Sequence, residues 1–283
     1  MNAITCTGLT KHYKDFSLQD VSFSLPSGTI LGLVGENGAG KSTTLKLLMN
    51  AARRDGGAVS VLGTDNQSPA FQQTKQDVGI VLDEGAFPTG LNARDIGDIL
   101  SRIYTGWEAD TYAALLTRLN LPSDKKFGDF SRGMKMKLSI AAALSHGARL
   151  LLLDEPTSGL DPMVREEILD LFREFVCDEN HSVILSSHIV SDLEKVCDYI
   201  AFLHRGRLLL FEEKDKLLEE YAVLRLAPGQ LSELDPAAVA GQRSSGYGAE
   251  ALVRRSLIPS SFVTQHTSLE DIILFMAKED TPR

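Results

Sequence analysis

The chain has 283 residues and a net charge of −9, and its composition is typical of a soluble globular protein. This length suits one large domain, or one large and one small domain. The acidic balance argues against a nucleic-acid partner, because phosphate backbones recruit basic protein surfaces.

Cysteine spacing and hydropathy exclude two further classes of protein. Cys6, Cys177 and Cys197 lack C-x-x-C spacing, which indicates neither a disulfide framework nor a zinc site. The first residues lack the basic start and apolar core of a signal peptide, and no apolar run approaches the roughly 18 residues of a spanning helix. We therefore expect any membrane role to depend on a partner.

The predicted elements begin with two strands within residues 3–25 and a buried strand at 29–34. Tyr13 lies between the first two strands, where its ring could stack on a nucleotide base. The alternative interpretation is a half-exposed strand tyrosine, and the local sequence favours neither.

Residues 35–43 form a glycine-rich loop that fits the pattern G-x-x-x-x-G-K-[ST] between a predicted strand and a predicted helix. Backbone N–H groups of such a loop surround phosphates, and the helix N-terminus adds partial positive charge. We predict that Lys41 reaches the β- and γ-phosphates and that Ser42 binds Mg²⁺. The residues predicted to contact the nucleotide here are Gly35, Asn37, Gly38, Ala39, Gly40, Lys41, Ser42 and Thr43.

The middle of the chain predicts strands at 58–62 and 78–82 and then a helical pattern. Asn92 is a predicted helix N-cap with Asp95 three residues later, and Ser131 opens another helix. Because the neighbouring regions alternate as strands do, residues from about 85 to 145 are interpreted as an inserted helical subdomain.

Four leucines at 150–153 predict a buried strand that ends at Asp154 and Glu155. Strands that alternate with helices predict a largely parallel sheet with ligands at the carboxyl ends of its strands. Asp154 has the form of a Walker B carboxylate that holds Mg²⁺, and Glu155 could act as general base on water. The alternative is a surface acid at a strand end.

The rest of the chain predicts Asp161 as the N-cap of a helix, a strand at 182–186 followed by His188, and a hairpin within 199–211. The composition then changes near residue 216. Ser268 to Asp271 resembles a capping box that opens a final helix, so we predict a small C-terminal lobe.

Together, these motifs resemble the nucleotide-binding subunit of ATP-binding cassette (ABC) transporters. The resemblance extends over residues 3–212 and adds three elements in family order to the phosphate loop and the Walker B pair. They are Phe130 to Lys135, which resembles the signature L-S-G-G-Q; Ser158 to Asp161, which resembles the D-loop; and His188, at the switch-histidine position.

The resemblance implies an α/β fold of the P-loop NTPase class (ABC ATPase). It would comprise an N-terminal antiparallel β subdomain, an inserted helical subdomain and a small C-terminal α+β accessory lobe. We accordingly divide the chain into an ATPase domain at 1–215 and a lobe at 216–283.

The resemblance also implies a mechanism. Two cassettes pair head to tail, and each ATP lies between the phosphate loop of one and the signature of the other. Ser131 and Gly133 would thus bind ATP of the opposite subunit, His188 would hold the γ-phosphate and the attacking water, and Tyr13 would stack on adenine.

Two positions depart from the family pattern. Arg132 replaces the first glycine of the signature, and Asp83 replaces the glutamine expected after the strand at 78–82. An ionised carboxylate at Asp83 could contact Mg²⁺ or orient water but cannot donate a hydrogen bond. Acidic residues here, with this type of signature, resemble cassettes of peptide, antibiotic or lipid exporters.

The leading hypothesis is an Mg²⁺-dependent ATPase that dimerises with a second cassette, identical or related, and powers a separate membrane permease. It would be held at the cytoplasmic face of the cell membrane by that permease. The alternatives are a low-turnover, ATP-gated regulatory cassette and a soluble ABC ATPase unrelated to transport.

Overall fold

A computed structural model describes residues 1–82, 86–227, 229–245, 248–259, 262, 264–265 and 267–279. Its strands form one parallel sheet with an antiparallel edge and two antiparallel sheets. The strands are β1 Asn2–His12, β2 Ser17–Pro26, β3 Ile30–Val34, β4 Gly56–Val61, β5 Thr64–Asp65, β6 Val78–Val81, β7 Leu150–Asp154, β8 Ser182–Ser187, β9 Tyr199–His204, β10 Arg207–Glu213, β11 Tyr221–Leu226, β12 Val239–Ser245 and β13 Gly248–Arg254.

The helices lie between these strands in the chain, except for the last, which follows β13. Within the described residues, none is long and apolar enough to cross a membrane. The helices are α1 Lys41–Leu48, α2 Phe71–Thr74, α3 Ala93–Leu100, α4 Ala109–Arg118, α5 Arg132–Leu144, α6 Pro162–Phe175, α7 Val190–Val196, α8 Lys214–Glu220 and α9 Leu269–Glu279.

The six-stranded sheet has the order β10-β9-β3-β8-β7-β6, and its strands run parallel except for β10 at one edge. This confirms the predicted α/β class. The register pairs Val34 with Ser187 and Asp154 with Ser186. The carboxyl ends of β3, β7 and β8 therefore meet at one edge, which is where parallel sheets bind ligands.

The N-terminal sheet has the order β2-β1-β4-β5 and is antiparallel throughout. Alternate residues of β1 and β2, such as Leu9 and Leu18, are fully buried in one hydrophobic cluster with Leu45 of α1. Burial of this apolar face holds the sheet against the phosphate-loop helix.

Helices α3, α4 and α5 lie between β6 and β7 in the chain. The capping box predicted at α3 is present: Asp95 N donates to Asn92 Oδ1 at 2.9 Å, and Asn92 N donates to Asp95 Oδ2 at 3.1 Å. Helix α5 packs closely on the sheet, because a Cβ at Gly79 would lie 2.8 Å from the Ala143 carbonyl oxygen. Its far end is therefore fixed to β6.

The C-terminal sheet has the order β11-β13-β12 and is packed against α9. The capping box predicted at α9 is also present, since Asp271 N donates to Ser268 Oγ and Ser268 N donates to Asp271 Oδ2, each at 3.1 Å. Leu269 N donates to Glu194 Oε2 at 3.2 Å, which attaches the start of α9 to α7.

Candidate functional site

The phosphate loop joins β3 to α1, and its conformation requires glycine. Gly40 has a φ of 111°, and a Cβ there would lie 2.9 Å from Leu18 Cδ1 and 3.0 Å from Phe16 Cζ. An L-residue would be strained by its backbone and would also collide with the N-terminal sheet. The loop and Glu155 line a cavity of about 250 Å³.

Lys41 is only 5% exposed, and its ammonium group points back into the phosphate loop. Nζ donates to the carbonyl oxygens of Gly35 at 2.7 Å and Glu36 at 3.3 Å. A buried ammonium needs such acceptors and a counter-ion. The counter-ion is Glu155, whose Oε1 lies 3.1 Å from Nζ.

Asp154 and Glu155 are fixed by Ser186 on the neighbouring strand. Ser186 Oγ donates to Asp154 Oδ1 at 2.5 Å, and Glu155 N donates to Ser186 Oγ at 3.0 Å. Glu155 also has a left-handed backbone, with a φ of 50°. Such a conformation is costly for a residue other than glycine and is found mainly where a side chain must be aimed.

The Glu155 carboxylate is shared between a lysine and a histidine. Its Oε1 contacts Lys41 Nζ, and its Oε2 lies 2.7 Å from His188 Nδ1 and 3.4 Å from His188 N. Two side chains from separate segments therefore converge on one carboxylate. A carboxylate fixed in this way can accept a proton from water or orient a water molecule for attack.

A second cavity, of about 340 Å³, shares Ser42 and Glu155 with the first. It brings together Ser42 and Asp154, two of the three residues predicted to bind metal. The third, Asp83, lies outside the described residues. Within the described residues, no group of three or more His, Cys, Asp or Glu side chains could hold a metal ion by itself.

Ser131 and Gly133 lie at the N-terminus of α5 and do not line the phosphate-loop cavity. Ser131 is exposed, and its Oγ accepts a hydrogen bond from Met134 N at 3.3 Å. A Cβ at Gly133 would lie 3.4 Å from Val164 Cγ1, in ordinary contact with α6. The hydroxyl of Ser131 is therefore at the surface.

Comparison with known proteins identifies the family. The sequence model of the family described as ABC transporter matches residues 18–158. The ABC transporter ATP-binding protein YtrB of Bacillus subtilis is 32% identical over 210 residues, which cover 74% of this chain and 71% of that protein. The chain belongs to the ABC transporter ATP-binding proteins.

Two other similarities agree with this assignment. The bacitracin transport ATP-binding protein BcrA of Enterococcus faecalis is 32% identical over 73% of this chain and 68% of its own length. A solved ATP-binding subunit of an ABC transporter, 26% identical, superposes with a TM-score of 0.67 over 76% of this chain and 91% of its own. As a member of this family, the chain binds and hydrolyses ATP.

The aromatic residue next to the phosphate loop of this ABC subunit is Phe16 rather than Tyr13. Phe16 lines the cavity and would touch any side chain at Gly40. Tyr13 is 47% exposed, its N–H donates to the Phe16 carbonyl at 2.8 Å, and Lys11 Nζ lies 5.5 Å from its ring. Its stacking on adenine stays a prediction. Phe16 lies in the same β1–β2 connection as Tyr13, and this position in the sequence could have indicated it as a second candidate for contact with the nucleotide.

Arg132, the departure in the signature of this ABC subunit, contacts the D-loop of its own chain. A Cβ at Gly159, where φ is 67°, would lie 2.2 Å from Arg132 Nη1. Glycine at this position therefore leaves room for the guanidinium. Arg132 also lines the cavity that contains Ser42 and Asp154. Sequence analysis gave no indication of this contact, because it joins two loops across the fold.

Proposed function

We propose that this ABC subunit powers an exporter and that its hydrolytic centre is built around Glu155. The observation that carries the assignment of the centre is the placement of one carboxylate between Lys41 Nζ and His188 Nδ1, at 3.1 and 2.7 Å. Glu155 acts as general base on the attacking water, and Lys41 binds the β- and γ-phosphates. His188 orients Glu155 and holds the γ-phosphate.

The exporter class is supported by the relatives. Besides the bacitracin protein, they include the lantibiotic transport ATP-binding protein SrtF of Streptococcus pyogenes and the Nod factor export ATP-binding protein I of Burkholderia orbicola, each 33% identical. The subunit would then lie at the cytoplasmic face of the membrane, held there by its permease.

Mg²⁺ is assigned to Ser42 and Asp154. A hydroxyl and a carboxylate are hard oxygen donors, and this ion commonly binds one or two protein groups together with substrate phosphates. Both residues line one cavity beside Glu155, so the donor set fits. When bound, the ion would offset the charge of the β- and γ-phosphates. Asp83 remains a proposed third contact.

Ser131 and Gly133 are proposed to bind the ATP held by the opposite cassette. Ser131 is exposed at the N-terminus of a 13-residue helix, where N–H groups and partial positive charge favour a phosphate. A dimeric ATP-binding cassette solved with ADP and phosphate has the same fold, with a TM-score of 0.66 at 22% identity. ATP would thus join two subunits, and hydrolysis would release them.

We retain the division into an ATPase domain at 1–215 and an accessory lobe at 216–283. The contacts of α9 with α7 and β12 support a lobe that packs on the ATPase domain.

The Glu155→Gln variant tests the hydrolytic centre. The amide keeps the shape of the side chain but cannot accept the proton, so we expect kcat to fall about 10²- to 10⁴-fold while ATP binding is retained. An ATP-bound dimer should accumulate and be visible by size-exclusion chromatography.

The matched control is Glu174→Gln, which removes a surface ion pair with Arg118 on the same molecule. It should hydrolyse ATP at the wild-type rate. Undiminished turnover in Glu155→Gln would refute the assignment of the base.

A further inference from the structure

Arg165 on α6 and Asp192 on α7 form an ion pair that the proposed mechanism does not use. Asp192 is only 1% exposed, and its Oδ2 lies 3.7 Å from Arg165 Nε. Within the described part of the chain, neither of these two buried atoms makes a hydrogen bond. They face each other at ion-pair distance, just beyond the range of a hydrogen bond.

The Arg165 guanidinium also contacts the D-loop, residues 158–161. Its Nη2 donates to the Leu160 carbonyl oxygen at 3.4 Å, while its backbone N–H donates to the Asp161 carbonyl at 3.0 Å. Arg165 is thus bonded to the D-loop through both its side chain and its backbone. A displacement of Leu160 would therefore move a hydrogen-bond acceptor of the guanidinium.

Asp192 lies on the first turn after the His188 segment. Its backbone N–H donates to the Ile189 carbonyl at 3.2 Å, and Ile189 N donates to Ser187 Oγ at 2.9 Å. These bonds connect Asp192 through one turn of backbone to the residues on both sides of His188. The backbone of Asp192 is therefore connected to the segment that presents the histidine, while its carboxylate faces Arg165.

We propose that Arg165 and Asp192 are positioning residues that couple the D-loop to the contact between His188 and Glu155. The planar fork of arginine can donate to a carbonyl and a carboxylate at once. When the D-loop shifts towards Asp192, the ion pair closes to hydrogen-bond distance and fixes the first turn of α7. His188, which already contacts Glu155 while the pair is open, is then kept in that contact during hydrolysis. This inference rests on the proposed roles of Glu155 and His188.

A second ion pair between the same two helices provides a matched control. Lys195 Nζ on α7 lies 2.7 Å from Glu166 Oε2 on α6, and these side chains are 50% and 44% exposed. It joins the helices one residue further along α6 but reaches neither the D-loop nor the buried carboxylate. Removing this pair tests whether the loss of any attachment between α6 and α7 is sufficient to lower kcat.

The experiment compares Asp192→Asn and Arg165→Lys with Glu166→Gln and Lys195→Gln in the full-length chain. Asp192→Asn keeps the size of a buried side chain, and Arg165→Lys keeps the charge but loses the fork. We expect kcat for Mg-ATP to fall about 10- to 100-fold in the first two variants, the scale of a catalytic group misplaced by about 1 Å. ATP affinity, measured by equilibrium binding, should stay within about twofold because the phosphate loop is untouched.

Non-additivity is the sharper result. When two residues act through one contact, the losses of kcat from substituting each of them should not add. The Asp192→Asn/Arg165→Lys double variant should therefore be no slower than the slower single variant. The control variants should keep the wild-type kcat. Thermal unfolding of the wild type and of all five variants separates loss of positioning from loss of fold.

Three results would overturn the inference: a wild-type kcat in Asp192→Asn, an equal fall in kcat in the control variants, or fully additive losses in the double variant. Failure of the proposed function is distinct. It would show as wild-type protein that does not hydrolyse Mg-ATP, or as Glu155→Gln protein with undiminished turnover. A normal Asp192→Asn beside an inactive Glu155→Gln would remove only the coupling.

Discussion

The two halves of the ATP site differ in how far one chain completes them. In the phosphate-loop half, Lys41 and His188 each contact Glu155 within the chain, and Asp154 is fixed by Ser186. In the signature half, Ser131 is exposed, and its Oγ accepts a hydrogen bond from Met134 N at the start of its own helix. The first half is therefore preorganised for phosphate, whereas the second is a surface that, as we propose, an opposite subunit completes.

The topology explains the difference. The phosphate-loop half lies where β3, β7 and β8 end side by side, so residues distant in sequence are brought together by strand register. The signature half lies at the free end of α5, whose other end is packed on β6. Nucleotide binding and cross-subunit closure can thus be impaired separately by mutation.

The sharpest test of this separation is Ser131→Ala. Loss of the hydroxyl should leave the ATP affinity of the isolated subunit unchanged and lower kcat by about 10- to 100-fold, the scale of one lost transition-state hydrogen bond. The measurements are equilibrium ATP binding and steady-state hydrolysis. ATP-dependent dimerisation in a Glu155→Gln background should weaken in parallel.

Ser131 also caps α5, so the loss of a cap needs its own control. Asn92→Ala removes the N-cap of α3, and each change should cost about 1 kcal/mol in the free energy of unfolding. Only Ser131→Ala should lower kcat. A fall in the ATP affinity of the monomer would mean that the signature half acts within its own chain and would end the comparison.

Two substitutions with smaller expected effects should distinguish contacts of the phosphate-loop half with the adenine base from its contacts with the phosphates. Tyr13→Ala should weaken ATP binding by about five- to tenfold through loss of stacking, worth on the order of 1 kcal/mol, and leave binding of inorganic tripolyphosphate unchanged. Phe16→Ala should weaken both ligands, because Phe16 packs against Gly40 of the loop. Isothermal titration of each ligand measures the difference.

The opposite pattern would reassign the base contact. If Phe16→Ala weakened ATP alone and Tyr13→Ala weakened neither ligand, Phe16 would be the stacking residue. Wild-type affinity of both variants for ATP would indicate that the base is held elsewhere.

Local patterns predicted those parts of the fold and site that depend on short segments. The capping box at Asn92, the cap at Asp161 and the parallel strand that delivers Asp154 all follow from residues close in sequence. The contact of Arg132 with Gly159 and the pair of Arg165 with Asp192 were not predicted. Each joins loops or helices that meet only after the sheet has formed, and no periodicity encodes which side chains then face each other.

The C-terminal lobe shows the same limit at the level of strands. Sequence analysis indicated short strand-like pieces after residue 216 but not their pairing. In the structure β13 lies between β11 and β12. Strand β11 therefore pairs with β13 and not with β12, the strand that follows it in the chain. Register over that distance is determined by burial of Ala222, Leu224 and their neighbours, which a local pattern does not specify.

The smallest expected effect concerns the attachment of the signature half to the sheet. His146 follows α5, is 3% exposed and stacks on Tyr104 with ring centroids 3.9 Å apart. Burial lowers the pKa of His146 below its ordinary value of 6.5. The unfolded chain therefore binds a proton in a pH range where the folded chain holds this histidine neutral. Stability should fall as the pH decreases below about 6.5, with a slope of at most about 1.4 kcal/mol per pH unit.

Urea unfolding between pH 5 and 8 measures this slope, and His146→Phe should flatten it while keeping an aromatic ring on Tyr104. The exposed His12→Gln variant is the control and should retain the wild-type slope. Arg118 holds the pKa of the neighbouring Glu174 below its ordinary value of 4.5. Carboxyl groups of this kind lose their contribution to the free energy of unfolding only below about pH 5, so they do not interfere with the measured slope. An unchanged slope in His146→Phe would show that the far end of α5 is insensitive to pH.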